Sequence, residues 1–82
     1  MGDDSERTVA DTLDMTGYFC PEPVIRVNEA IGGIAIGEVL ELLADDPSSE
    51  PDIKSWAKRT GQELISLSED EGVFRFLIRR TV

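Results

Sequence analysis

Apolar and polar positions recur with different periods along this chain, and these periods predict its secondary structure. Four segments alternate or run apolar over the length of a strand, and turn-forming residues bound them. The second segment is nearly continuously apolar, which is typical of a strand in the middle of a sheet. The predicted strands span residues 8–15, 39–44, 63–68 and 73–78.

Two other segments place apolar residues at the spacing of a helix. The first begins at Pro21, which suits a first helical turn, and stops at Gly32-Gly33. Its predicted apolar face consists of Val24, Val27, Ile31 and Ile34. The second follows Ser49, which with Asp52 resembles a capping arrangement, and ends at Gly61. Its predicted face consists of Ile53, Trp56, Ala57 and Thr60, with Trp56 as core.

The order of the six segments predicts a βαβαββ α+β fold. Two helices are expected to pack on one face of a mixed four-stranded sheet, as a two-layer sandwich. In the last strand, Phe74, Phe76 and Ile78 share one parity, and Arg75 and Arg79 share the other. This pattern predicts a sheet with a core face and a wet face.

Length and charge limit the classes of function. With 82 residues the chain has room for one domain, which we place at residues 8–82 behind a flexible acidic tail at residues 1–7. The formal net charge of −9 repels phosphate backbones and anionic lipid headgroups, so no direct nucleic-acid or membrane partner is expected. The charge is open to three explanations: solubility, adaptation to salt, or docking of a basic partner.

Cys20 is the single cysteine, so no internal disulfide can form. The sequence has no signal-like or bilayer-length apolar stretch, and a cytoplasmic monomer is expected. Without histidine or a second cysteine, no zinc site and no cofactor are expected. The adjacent Asp45 and Asp46, before Pro47, suit a turn and helix entry better than metal binding.

The position of Cys20 favours a reactive thiol. It directly precedes Pro21, where unpaired N–H groups and the helix dipole favour the thiolate. Pro21 and Pro23 restrict the backbone at the helix start, and the same restriction would orient the thiol. Glu22 has two open roles: a favourable first-turn residue, or a negative charge that limits activation of the thiol.

Specific residues resemble those of the TusA/SirA-like sulfur carriers in matching order, from about Leu13 to Arg79. The most specific of them is the Cys-Pro-x-Pro motif between a first strand and a first helix. The residues that carry the resemblance are Leu13-Asp14, Gly17, Cys20-Pro21-Glu22-Pro23, Gly37-Glu38, Asp45-Asp46-Pro47, Asp52-Ile53, Trp56, Gly61 and Ile78-Arg79.

The resemblance implies a two-layer βαβαββ fold and a sulfurtransferase that works as a persulfide carrier. Cys20 corresponds to the carrier thiol, with Gly17, Pro21, Glu22 and Pro23 as supporting residues. A cysteine desulfurase or rhodanese-like protein would donate the sulfur. A downstream protein of tRNA thiolation, molybdenum-cofactor sulfur supply or sulfur oxidation would accept it.

Three flanking residues and one departure from the family complete the candidate site. Met15, Tyr18 and Phe19 flank the thiol, and we expect an apolar collar that contacts partners. The family often carries Gly-His where this chain has Gly61-Gln62, so no titrating helper is available there.

Two other functions remain open. In the first, the protein is a non-catalytic regulatory or interaction module, and Cys20 is a buried structural residue. Alternatively, it would serve a redox enzyme or sensor, which would need a partner thiol because the chain has no resolving cysteine.

Overall fold

A computed structural model describes residues 9–19 and 21–82, and its elements follow the predicted βαβαββ order. Cys20 and the predicted tail at residues 1–7 lie outside the described residues. Most element ends lie within two residues of their predicted positions. The elements are β1 (Val9–Asp14), α1 (Glu22–Ile31), β2 (Val39–Ala44), α2 (Ser49–Thr60), β3 (Glu63–Asp70) and β4 (Val73–Arg79).

The four strands form one mixed sheet in the order β1-β2-β4-β3. β1 runs parallel to β2, whereas β4 pairs antiparallel with both β2 and β3. The carboxyl ends of β1 and β2 therefore lie at the same end of the sheet. The beginning of β3 lies at the other end, because Glu63 pairs with Arg79 and Arg79 pairs with Val39.

The core lies between the sheet and the two helices. Alternate residues of β2 face the helices and are fully buried: Leu40, Leu42 and Ala44. They pack in one cluster with Phe76 and Ile78 of β4. The helices complete the cluster with Val27, Ile31, Ile53, Trp56 and Ala57. The predicted two-layer α+β architecture is confirmed, and so is Trp56 as a core residue.

The apolar face predicted for α1 extends one turn too far. α1 ends at Ile31, with Gly32 at its C-cap, as the glycine pair predicts. Ile34 is buried in the same core, but it lies in the connection to β2 and not on the helix. Ile34 falls on the helical spacing of α1 by coincidence, because a core residue in the connection after a helix can continue the same sequence period.

The entry of α2 differs from the predicted capping arrangement. Ser48, not Ser49, occupies the N-cap position, and its side chain makes no capping hydrogen bond within the described residues. The backbone of this turn is held instead by Asp46, whose Oδ1 accepts the Ser48 N–H at 3.1 Å and whose carbonyl accepts the Ser49 N–H at 2.8 Å. Gly61 ends the helix in the left-handed region, with φ of 82°.

The face of the sheet away from the helices is less wet than predicted. Leu77 lies on the same parity as Arg75 and Arg79, yet only 2% of it is exposed. Its pairing partner on β2 is Glu41, and Glu41 and Arg75 form an ion pair beside it. Because long charged side chains cover apolar surface with their stems, a charged strand face can still bury a leucine.

Candidate functional site

The segment before Cys20 leaves the end of β1 and is anchored in the core by Met15. This residue is 3% exposed, and its N–H donates to the Leu43 carbonyl of β2 at 2.7 Å. The prediction that Met15 contacts partners is therefore wrong. Met15 continues the alternation of β1 by one residue, and this parity places its side chain in the core.

A tight turn follows, closed by a hydrogen bond from the Tyr18 N–H to the Met15 carbonyl at 3.2 Å. Gly17 occupies the third position of this turn with φ of 88°. A residue with a side chain is strained at this φ, which explains the glycine. Gly17 thus supports the segment that carries Cys20 by allowing the chain to reverse there.

Two carboxylates hold this turn. Asp14 accepts hydrogen bonds from the Thr16 hydroxyl at 2.7 Å and from its N–H at 3.0 Å. These bonds lower the pKa of Asp14, with the hydroxyl contributing most. Asp45, from the loop after β2, accepts the Gly17 N–H with both carboxylate oxygens, at 3.0 and 3.1 Å.

The start of α1 is defined by backbone contacts on both sides of Cys20. Pro21 is the N-cap residue with φ of −98°, so it precedes the first turn and does not lie within it as predicted. Pro23 lies inside the first turn and is buried. The Glu22 N–H donates to the Phe19 carbonyl at 2.9 Å, and the Ile25 N–H donates to the Pro21 carbonyl at 3.1 Å. The backbone on either side of Cys20 is therefore held.

Cys20 itself lies outside the described residues, so the site is described by its neighbours. Glu22, the second residue after the cysteine, is exposed in the first turn of α1. A carboxylate there interacts favourably with the helix dipole.

Exposed apolar side chains lie next to Cys20 in the chain. Phe19 is 76% exposed and Tyr18 is 48% exposed, as expected for two members of the predicted collar. Ile25, one turn into α1, adds a third side chain at 46% exposure. At helical spacing, Ile25 falls off the predicted core face of α1. The sequence therefore carried a signal for the exposure of this side chain. Such a surface suits transient contact with another protein.

A groove of about 320 Å³ lies between the two helices, next to Ile25. Its wall contains Trp56, whose Nε1–H donates to Asn28 Oδ1 at 3.0 Å, and the charged residues Glu29 and Arg59. The groove therefore has a mixed polar and apolar lining, and Ile25 belongs both to it and to the exposed apolar surface.

Gln62 lies far from this segment. It immediately precedes β3, at the end of the sheet where β2 begins, whereas the Cys20 segment follows the end of β1. The two ends are separated by about 17 Å, the length of a six-residue strand. Gln62 Oε1 accepts the Thr81 N–H at 2.8 Å and so holds the C-terminal residues. A side chain at position 62 therefore lies at the opposite end of the sheet from the described residues that flank Cys20.

The described residues contain no group of three or more acidic side chains arranged to hold a metal ion. A turn and helix-entry role was predicted for both Asp45 and Asp46; Asp46 holds the turn at the entry of α2, whereas Asp45 makes a different contact. Asp45 does something the sequence did not reveal, because its partner Gly17 is distant in the chain. Among the described helices, none is long and apolar enough to cross a membrane.

Comparison with known proteins places these features in a family. A family model described as Sulfurtransferase TusA matches residues 11–80. The sulfur carrier protein TusA of Allochromatium vinosum is 39% identical over 69 residues, which cover 84% of this chain and 91% of the relative. The sulfur carrier protein TusA of Pseudomonas putida is 40% identical over 68 residues, which cover 83% and 85%.

A solved structure agrees with the fold. The crystal structure of a SirA-like protein from Desulfitobacterium hafniense superposes with a TM-score of 0.76 and 30% identity. The match covers 88% of this chain and 99% of the other. The chain therefore belongs to the TusA/SirA-like family of sulfur carriers.

Proposed function

We propose that Cys20 accepts sulfane sulfur as a persulfide and passes it to a thiol of another protein. The observation that carries this proposal is the family match over residues 11–80, with the Cys-Pro-x-Pro motif at the junction of β1 and α1. Thiolate chemistry suits that junction, because helix N-termini favour anionic sulfur.

The transfer needs no external oxidant or reductant. The Cys20 thiolate attacks the outer sulfur of a donor persulfide, a sulfur–sulfur bond forms on Cys20, and the donor leaves as a thiolate. The same exchange in the second step gives the sulfur to an acceptor thiolate and restores Cys20. One sulfur atom moves in each step, and both exchanges conserve electrons.

The surface around the motif supports exchange between proteins. Tyr18, Phe19 and Ile25 offer apolar contact area next to the position of Cys20, on a segment held by backbone hydrogen bonds. A partner docked there would exclude water from the exchanging sulfur atoms. The site needs no metal or cofactor for this reaction.

Membership of the TusA/SirA-like family suggests the classes of partner. A cysteine desulfurase or rhodanese-like protein presents a persulfide that Cys20 can attack. The acceptor presents a thiol and belongs to tRNA thiolation, molybdenum-cofactor sulfur supply or sulfur oxidation. The net charge of −9 agrees with a carrier that contacts protein partners and not RNA itself.

Intact-mass spectrometry after incubation with a cysteine desulfurase and cysteine tests the proposal. We expect the wild-type protein to gain the mass of one sulfur atom, and a reductant to remove it. The matched control is Cys20→Ser, which should fold normally and gain nothing. If no donor loads the protein and folded Cys20 resists alkylation, the cysteine is structural and the interaction module is the better function.

A further inference from the structure

The two helices lie side by side and run in the same direction. α1 connects β1 to β2 and α2 connects β2 to β3, and these three strands share one direction in the sheet. The groove of about 320 Å³ between the helices therefore has one wall from α1 and one from α2. Its apolar part includes Ile25, which keeps 46% of its surface exposed. Apolar area thus stays uncovered on the outer side of the helix layer.

The two walls of this groove carry opposite charges. Glu29 on α1 and Arg59 on α2 both line it, and both are exposed. Neither side chain forms an ion pair or a hydrogen bond with another described residue. An acidic wall beside a basic wall is self-complementary. In a two-fold interface, the acid of one copy meets the base of the other, and the reverse contact forms at the same time.

The helix layer also lacks the acidic excess of the molecule. α1 and α2 together carry four acidic and four basic residues, so the net charge of −9 arises outside the helices. These residues are Glu22, Glu29, Glu50, Asp52, Arg26, Lys54, Lys58 and Arg59. Two copies therefore repel each other less when their helix layers face each other than when their acidic surfaces do.

We propose that two copies of this chain form a weak dimer through the groove between α1 and α2. A two-fold axis along the groove places α1 of each copy over α2 of the other. Glu29 of each copy then faces Arg59 of the other, and each Ile25 covers the apolar part of the other groove. The sequence alone led us to expect a monomer, because it does not show that the two charged walls lie side by side.

Sedimentation equilibrium of the full chain tests the dimer, with a reductant present so that Cys20 cannot link two chains. At a salt concentration of about 0.15 M, the screening length of about 8 Å weakens repulsion between whole molecules more than attraction between touching charges. We expect the average mass to rise from monomer towards dimer between about 10 μM and about 1 mM protein. A monomer throughout this range would overturn the proposal.

Exchange of the two charges identifies the contact. Glu29→Arg and Arg59→Glu should each weaken the dimer about tenfold, because like-charge contacts replace two ion pairs per dimer. The double variant, Glu29→Arg with Arg59→Glu, should restore the wild-type dissociation constant. Unchanged dimerisation in both single variants, or no recovery in the double variant, would contradict the proposed contact.

The direction of the change separates this contact from an effect of net charge. Glu29→Arg adds two positive units to the net charge of −9, so general repulsion alone would make the dimer stronger. The matched control is Asp70→Arg, which makes the same change on β3, on the face of the sheet away from the helices. This control should not weaken the dimer. All three substituted side chains are exposed, and circular dichroism checks that each variant folds.

Ile25→Ser tests the apolar part of the contact without a change in charge. It should weaken the dimer about tenfold, because an apolar side chain is no longer buried between the copies. An unchanged dissociation constant would overturn the proposed arrangement. Sedimentation requires no sulfur donor, so its outcome is independent of persulfide loading. If the wild type loads sulfur but stays monomeric, the carrier function stands and the dimer falls.

Discussion

At the scale of single residues, Gly17 has a backbone conformation that disfavours residues with a side chain. Its φ is 88°, and an added Cβ would meet no atom within 4 Å. The cost of Gly17→Ala is therefore conformational and not steric, and we expect a loss of about 1 to 2 kcal/mol in the free energy of unfolding. Urea denaturation of the wild type and of Gly17→Ala measures this loss.

Gly32→Ala is the matched control for this substitution. Gly32 has φ of −73°, and its added Cβ would meet only the Glu29 carbonyl at an ordinary 3.5 Å. This variant should be as stable as the wild type or slightly more stable. Equal losses in both variants would contradict the conformational explanation.

Some residues of this site can be recognised from the sequence and others cannot, for physical reasons. Cys20, Pro21 and Gly17 stand out because local chemistry and backbone restriction act within a few residues. Met15 was misassigned because an apolar residue beside a candidate site looks the same whether it faces the core or the solvent. Asp45 could not be recognised, because its contact with Gly17 depends on the parallel pairing of two strands that are distant in the chain.

At the scale of elements, Glu41 joins three adjacent strands on the face opposite the helices. It accepts the Thr12 hydroxyl of β1 at 2.8 Å and the Arg75 guanidinium of β4. The hydrogen bond from Arg75 is the main reason that the pKa of Glu41 lies below its ordinary value. A lowered folded-state pKa stabilises the fold above the ordinary glutamate pKa, and this stabilisation is lost as pH falls through the lowered value.

We therefore expect Glu41→Gln to lower the free energy of unfolding by about 1 to 3 kcal/mol at pH 7, since a charged hydrogen-bond partner is lost. The difference from the wild type should shrink as pH falls below the ordinary glutamate pKa, and it should vanish once pH lies below the lowered pKa of folded Glu41, where the wild-type carboxyl is also protonated. Urea titrations between pH 7 and pH 3 measure it.

The comparison variant for Glu41 is Glu63→Gln. Glu63 and Arg79 also form an ion pair, but both side chains are about half exposed, at 48% and 47%. Exposed pairs contribute little, so this variant should lose less than Glu41→Gln at pH 7. A loss in Glu41→Gln that persisted unchanged at pH 3 would contradict an origin in the charge.

Element order was predictable because each segment has its own period, and the β2 core residues follow from their run of apolar positions. The exact start of α2 was not predictable, because Asp46 caps the backbone there in competition with the serines. Burial of Leu77 on the charged face also escaped prediction. Alternation along one strand does not show which residues of its charged face the neighbouring strands will bury.

At the scale of the whole molecule, the net charge of −9 implies that self-repulsion opposes folding. Raising the salt concentration from 0.05 to 1 M should therefore raise the melting temperature, because the screening length falls to about 3 Å. Circular dichroism during heating measures this. A double variant, Glu69→Gln with Asp70→Asn, removes two exposed charges and should show a shallower rise. An equal rise in both proteins would mean that the salt acts through burial of apolar surface instead.

The two outer strands, β1 and β3, have a consequence for how these molecules behave at high concentration. Each outer strand has a register irregularity, between Val9 and Asp11 in β1 and between Leu64 and Ser66 in β3. Acidic side chains also lie along both strands. Irregular, charged edges are poor templates for adding a further strand. Concentrated solutions of this protein should therefore resist edge-to-edge polymerisation of the sheets, even though the aromatic side chains of Tyr18 and Phe19 are exposed.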